Sequence, residues 1–400
     1  MTDLYSNTAC VCLHILLVTS FAFAQSEDKK LEEELARELA APEKEQSQTE
    51  PSRPRSGVFQ NMNPNISVIG TASGGYSSLD ALDRKINLGF DEAEFSFQAT
   101  VDPYAKADFF VGFHKHHEHS VEPESAEDEE DEQGGEGGFE PALEEAYLTL
   151  LSLPASMQLK LGKFRSHFGK INEVHPHALN YVDLPLMYSN FFGGDGLNDE
   201  GASLSWLVPN KLFFQDLTVQ ITAGPSENHS LTRAENNRLL YLAHLKNFFD
   251  VNANTTLELG LTGLSGPNAN ADVTNMFAAD LTLKWKPLRF NRYRSFEWMS
   301  EVLVSEQKGA DKVTSLGLYT FLRYQLSKRW FHGWLYDYSE FPGLADSYHQ
   351  AFSFVFQFFA TEFQKAEVQF KYNDGNFFES FAEVKVRAVF VIGAHGAHQY

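Results

Sequence analysis

From residue 62 onward, apolar and polar residues alternate one by one in a series of segments. Phe95, Phe97, Ala99 and Val101 alternate with Glu94, Ser96, Gln98 and Thr100. Leu217, Val219 and Ile221 alternate with Thr218, Gln220 and Thr222. Ala366, Val368, Phe370 and Tyr372 alternate with Glu367, Gln369, Lys371 and Asn373. A period of two puts each set on its own face of a strand, whereas a helix would repeat every 3.6 residues. Each segment has roughly ten residues, the length of a tilted membrane strand. Sixteen are predicted. The first eight lie at 62–73, 90–101, 105–114, 143–152, 157–164, 201–208, 213–223 and 238–248. The rest lie at 254–264, 277–286, 295–305, 315–326, 329–339, 348–359, 364–373 and 377–393.

The connections alternate as well. Short turns such as Asp102-Pro103-Tyr104, Leu153-Pro154-Ala155-Ser156 and Pro209-Asn210-Lys211 are interleaved with longer polar or Gly-rich loops. The longest of these are 114–141 and 165–200. Sorting of connections by length onto two ends predicts an all-β, transmembrane, antiparallel up-and-down β-barrel of about 16 strands. A soluble sandwich has no reason to sort them. The apolar faces are expected to meet lipid, because the alternate faces carry charges and amides that lipid rejects. Trp206, Trp285, Trp298 and Trp330 near segment ends suit an interfacial girdle.

Ahead of the barrel, residues 9–18 form a short apolar run, followed by Ala22-Phe23-Ala24 and the polar Gln25-Ser26-Glu27. That order reads as a signal peptide, 1–24, cleaved after Ala24. Cys10 and Cys12 lie inside it, so the mature chain is expected to hold no thiol. Residues 25–57 read as a charged periplasmic leader, part helical and part linker: Leu31, Leu35 and Leu39 form a narrow stripe, and 42–56 is rich in Pro, Ser and charge. The barrel domain is expected over 58–400.

Composition narrows the class. The chain has 400 residues, 14% aromatics, a mean hydropathy of −0.32 and a net charge of −22. The hydropathy excludes a helical membrane protein, and the aromatics exclude a wholly disordered chain. The acidity argues against nucleic acid as a partner. Its location matters more: residues 118–140 hold 11 acids and no base, and residues 26–50 are net −5. Together they carry −16 of the −22, outside the barrel wall.

The alternate face supplies candidate pore-lining charges of both signs: Lys106, Asp108, Lys284, Arg323, Lys371, Glu383, Lys385 and Arg387. Opposed charges across an aqueous lumen order water and pass small polar solutes; the plainer reading is structural pairing within the wall. At 114–119 the chain reads His-Lys-His-His-Glu-His, followed by the acidic run. His114, His116, His117 and His119, with Glu118 or Glu122, are candidate ligands for Zn2+ or another divalent cation. A solvated low-complexity loop is the alternative. His175, His177, His395 and His398 are read as hydrogen-bond partners. Loop 165–200 is aromatic and Gly-rich, and an inward fold into the pore is preferred, since Phe191 and Phe192 would be costly at the surface. No GxSxG, HExxH, P-loop or CxxC motif is present, and no catalytic residue or required cofactor is expected.

Leu161-Gly-Lys-Phe-Arg-Ser-His-Phe-Gly-Lys-Ile-Asn, His175-Pro-His-Ala-Leu, Val182-Asp-Leu-Pro-Leu and Phe192-Gly-Gly-Asp-Gly-Leu-Asn-Asp-Glu-Gly carry a resemblance. The chain resembles bacterial porin-like outer-membrane proteins akin to the phosphate-selective porin O/P superfamily, a group sometimes labelled zinc-regulated TonB-dependent outer membrane receptors. The resemblance implies a 16-strand barrel in a Gram-negative outer membrane and a link to metal supply. A TonB-dependent receptor needs 22 strands and a plug, for which the mature length leaves no room.

The expected function is a porin-like channel for passive diffusion of small polar or ionic solutes, with divalent metal captured at the outer loop. The alternative is a non-conducting metal-binding or receptor protein with the barrel as anchor. Expected partners are outer-membrane lipid, the barrel-assembly machinery during insertion and small polar solutes; a homotrimer is compatible with this reading.

Overall fold

A computed structural model describes residues 64–393, apart from 80–84, 116–138, 226–227, 229, 234–237, 271, 310–311, 343 and 345. The signal, the leader and most of the His/acid loop therefore lie outside the described residues. The first eight strands are β1 (Asn65–Ser77), β2 (Ile86–Asp102), β3 (Ala105–Lys115), β4 (Phe139–Leu153), β5 (Met157–Arg165), β6 (Asn198–Leu207), β7 (Phe214–Thr222) and β8 (Leu240–Asn252). The second eight are β9 (Thr255–Pro267), β10 (Val273–Trp285), β11 (Phe296–Gln307), β12 (Val313–Gln325), β13 (Trp330–Glu340), β14 (Tyr348–Thr361), β15 (Gln364–Gly375) and β16 (Phe381–Gly393). One short helix, α1 (Leu186–Phe192), lies between β5 and β6.

Each strand pairs antiparallel with its sequence neighbours, and β1 pairs with β16, so the sheet closes. Closure leaves no edge, which is the condition for a sheet to cross lipid. The strand pattern explains how the wall is sided. On β7, Thr218, Gln220 and Thr222 are buried inside while Val219 and Ile221 are each 43% exposed on the outside. Leu261, Phe370, Tyr372 and Val386 belong to the same outer apolar surface. No helix among the described residues is long and apolar enough to cross a membrane; this barrel crosses with strands. The fold is a transmembrane β-barrel.

Two departures from strict alternation prepare the interior. The β3–β4 register shifts between Phe110 and Val111, whose partners are Glu145 and Leu143. A bulge thus accommodates Glu144, and the consecutive Glu144 and Glu145 are both buried. The second departure corrects the expectation that apolar strand residues face only lipid. Leu242, Met276, Leu303, Tyr319, Phe321 and Val355 are buried and belong to one apolar cluster with residues of the β5–β6 loop. The loop supplies the reason: Met187, Tyr188, Phe191 and Phe192 of α1 belong to the same cluster. Gly317 on β12 permits the approach, because a Cβ there would lie 2.7 Å from the Met187 Cβ.

The lipid-facing assignment is testable at Leu261, in the middle of β9 and 56% exposed. Leu261→Arg should cost about 2–4 kcal/mol of folding free energy if this position lies at the bilayer midplane. Reversible denaturant unfolding in liposomes measures it; an unchanged stability would remove Leu261 from the lipid face.

Candidate functional site

The segment between β5 and β6, residues 166–197, folds into the barrel, as preferred from Phe191 and Phe192, which are both buried. Asn172 ties its two stems. Its side-chain amide donates to the Ser166 and Leu197 carbonyls at 2.7 and 2.8 Å, and its Oδ1 accepts from Leu197 N at 2.8 Å. The segment then makes contacts around the wall. His167 N donates to Gln220 on β7, and Gly169 N donates to Thr262 on β9. Lys170 Nζ meets Glu258 on β9 at 2.5 Å. Tyr188 donates to Glu301 on β11 at 2.8 Å.

The strongest anchorage lies on β15 and β16. Arg387 bonds Glu367 at 2.7 Å and also donates to the loop carbonyls of Pro176, Leu179, Val182 and Tyr181. Lys365 Nζ donates to the His177 and Leu179 carbonyls. Asp183 meets Lys385 at 2.9 Å and Lys371 at 3.5 Å. Burial opposes ionisation of Asp183, but Lys385 and Lys371 hold its carboxyl well below the usual range. Buried carbonyls need donors, and a guanidinium with its fan of N–H groups supplies several at once.

The eight charges read as pore-lining fall into separate places. Lys371, Lys385 and Arg387 are gathered under the loop, and Glu383 beside them accepts from Asn373 and lies 3.8 Å from Lys385. Lys284 pairs with Glu297 at 3.2 Å. Arg323 lies 3.8 Å from the same carboxylate, stacks on Phe331 and donates to Gln357. Lys106 pairs with the buried Asp108 at 2.7 Å near the β2–β3 turn. Much of this charge is thus engaged by partners within the wall or by the loop.

Of the candidate metal ligands, His116, His117, Glu118, His119 and Glu122 lie outside the described residues. His114 is described, and its Nε2 meets Glu144 Oε1 at 2.7 Å. Around it lies a cluster that the sequence reading missed. His175 Nδ1 stands 2.8 Å from Glu94 Oε2 and 3.2 Å from Glu144 Oε2, while its Nε2 meets Glu145 Oε1 at 2.7 Å. His177 Nδ1 is 3.7 Å from Glu94 Oε2. Burial disfavours a charged His175 ring, yet Glu144, Glu145 and Glu94 raise its pKa well above the ordinary value. His175 is a hydrogen-bond partner, of Glu145, and it also faces Glu94 and Glu144. The signal in the sequence was Glu144-Glu145: two consecutive acids in a strand would put one of them in lipid unless a bulge turned it inward.

No family model matches the chain. An uncharacterized protein of Aquifex aeolicus (strain VF5) is 28% identical over 306 residues, covering 64% of this chain and 63% of that protein. The match therefore spans less than two-thirds of that relative. Among solved structures, the anion-selective porin from Comamonas acidovorans matches with a TM-score of 0.54 at 10% identity, covering 82% of this chain and 100% of that one. The outer membrane channel DcaP of Acinetobacter baumannii matches with 0.54 at 10% identity, over 83% and 98%. Salmonella typhi OmpF matches with 0.52 at 12% identity, over 84% and 99%. The fold is that of the outer-membrane porins. A closed sixteen-strand barrel of this kind, apolar on its outer surface, resides in the outer membrane.

Arg387 is the test of loop anchorage. Arg387→Met keeps the aliphatic stem and removes every donor. Hydrogen exchange should then accelerate at Tyr181 and Val182 while the β15–β16 ladder stays protected. Equal protection in both proteins would show that the loop holds without it.

Proposed function

We propose that the protein is a channel for passive diffusion of small polar or ionic solutes, with loop 166–197 setting its constriction. The observation that carries this reading is the loop itself. It lies inside a closed sixteen-strand barrel and is held by hydrogen bonds and ion pairs to strands on several sides. A barrel of that size leaves an aqueous lumen, so a segment fixed within it sets the width and charge of the path. Charges of both signs line the narrowed region, which favours hydrated and polar solutes over apolar ones.

The capture of Zn2+ or another divalent cation at the outer mouth is part of the proposal. Its support is the imidazole-rich start and the 11 acids of 118–140, which raise the local cation concentration. The second reading, a non-conducting surface protein, is favoured by the apolar packing of α1 against the inner wall, which fills part of the lumen.

Planar bilayers decide between the two readings. The purified protein should give stepwise conductance, and replacing 176–192 with a short Gly-Ser linker should raise the step size. Silence in both proteins, or conductance only after the replacement, would support the non-conducting reading. Deleting 116–138 should abolish weak, salt-sensitive zinc binding in a titration. Unchanged binding would remove that segment from the proposal.

A further inference from the structure

The cluster around His175 is assembled from four distant stretches of chain. Glu92 and Glu94 come from β2, His114 from β3, Glu144 and Glu145 from β4, and His175 and His177 from the inward loop. Two sets within it bring their donor atoms within 4.8 Å of one another: Glu94, His175 and His177, and Glu92, His114 and Glu144. Glu94, His175 and His177 are all buried. We propose that the wall and the loop together hold one divalent transition-metal ion of the zinc class, ligated by Glu94, His175 and His177, with Glu144 as fourth donor.

The arrangement at His175 has the chemistry of a ligating imidazole. Its Nε2 meets Glu145 Oε1 at 2.7 Å, and Glu145 is itself fixed by accepting from Arg165 N at 3.1 Å. A metal ion takes the place of the Nδ1 proton, and a carboxylate accepting at the other ring nitrogen then sets the tautomer and aims the Nδ1 lone pair at the metal. The His175 Nδ1 lies 2.8 Å from Glu94 Oε2 and 3.2 Å from Glu144 Oε2. The His177 Nδ1 to Glu94 Oε2 distance is 3.7 Å. Donors around a tetrahedral zinc are about 3.3–3.5 Å apart, which these distances bracket.

A second observation is independent of those distances. Glu94 Oε1 is buried and accepts no hydrogen bond among the described residues, while Glu94 Oε2 and Glu144 Oε2 share the single Nδ1 of His175. Carboxylate oxygens so deeply buried are costly without a donor or a cation. Four buried carboxylates meet here, with Arg165 as a fixed cation beside them. A divalent ion in place of the His175 proton would offset one more of those charges. Two imidazoles among the donors favour a zinc-class ion over Ca2+ or Mg2+, which take oxygen.

The neighbouring set gives the ion a way in. Glu144 turns Oε1 toward His114 and Oε2 toward His175, so one carboxylate links the two sets. His114 keeps about two-fifths of its side chain exposed, at 41%, between the surface and the buried donors. Gly112 makes room: a Cβ there would collide with Glu144 Oε1 and His114 Nε2. Bound at Glu94, His175, His177 and Glu144, the ion joins the loop to β2 and β4, beside the anchorage that Arg387 provides from β16 through the Pro176 carbonyl. The site stands whether or not the pore conducts.

The test uses the full chain, purified in detergent, loaded with Zn2+ and dialysed exhaustively against metal-free buffer. Retained metal is measured by mass spectrometry, and Co2+ serves as the optical probe. The expected result is one retained ion per chain and a Co2+ absorption band of a four-coordinate N/O site. Glu94→Gln and His177→Ala should each weaken retention by at least about tenfold and abolish the band. Both variants are checked for folding by heat-modifiable migration, so that either one suffices if the other misassembles. Replacing His116, His117 and His119 together with Ala should leave the ion in place. No retained ion, retention unaltered in Glu94→Gln and His177→Ala, or loss of the ion in the triple replacement would each overturn the proposal.

Discussion

Hydrocarbon offers a backbone amide no hydrogen-bond partner, so a sheet that crosses it must close on itself. That constraint governs the rest of this molecule. It requires β16 to return to β1. It also requires an outer face that lipid accepts, so outward residues repeat every second position while the inner face is free to vary. The enclosed space is too wide for strand side chains alone to fill. What occupies it is therefore a separate problem, and loop 166–197 is the chain's solution.

The loop brings its own core and its own wiring. Apolar residues of α1 pack on an apolar stretch of inner wall, and the polar limbs are held by charge. The wall residues are matched to this task. Arg387 is bonded at once to Glu367 and to loop carbonyls, so it neutralises a wall acid while satisfying backbone groups removed from water. Lys371 and Lys385 converge on Asp183 in the same way. In the same stretch of the loop, the His175 side chain lies among Glu94, Glu144 and Glu145. The loop is thus held at one place by cations of the wall and at another by its carboxylates. Its anchors have opposite sign, which makes its placement specific.

The barrel was legible because its signal is local. Each of the sixteen predicted segments overlaps an observed strand, and the short turns fall where Asp102-Pro103-Tyr104 and Leu153 to Ser156 place them. The inward loop was legible from Phe191 and Phe192, two large apolar residues in a segment with no strand to bury them. The apolar inner wall was not, because Met276, Leu303 and Phe321 occupy positions that alternation alone assigns to a polar lumen. Their environment depends on a loop more than a hundred residues earlier in some cases. The His175 cluster was missed for a related reason. Its members sit at 92–94, 114, 144–145 and 175–177, and only barrel closure and the β4 bulge bring them together. Along the chain the imidazoles of 114–119 stand together, whereas His175 and His177 have no carboxylate within a few residues except Glu173.

The central claim is that loop 166–197 lies across the lumen and is bonded to the far wall. Cysteine cross-linking between positions 183 and 371 tests it most directly, since the Asp183 and Lys371 side chains approach to 3.5 Å. Asp183→Cys and Lys371→Cys in one chain should be joined in the assembled protein by a short bifunctional thiol reagent that spans the gap left by the lysine side chain, seen as altered migration after full unfolding. Absence of the cross-link, with the thiol at position 183 labelled from outside the cell by a bulky membrane-impermeant maleimide, would contradict the account.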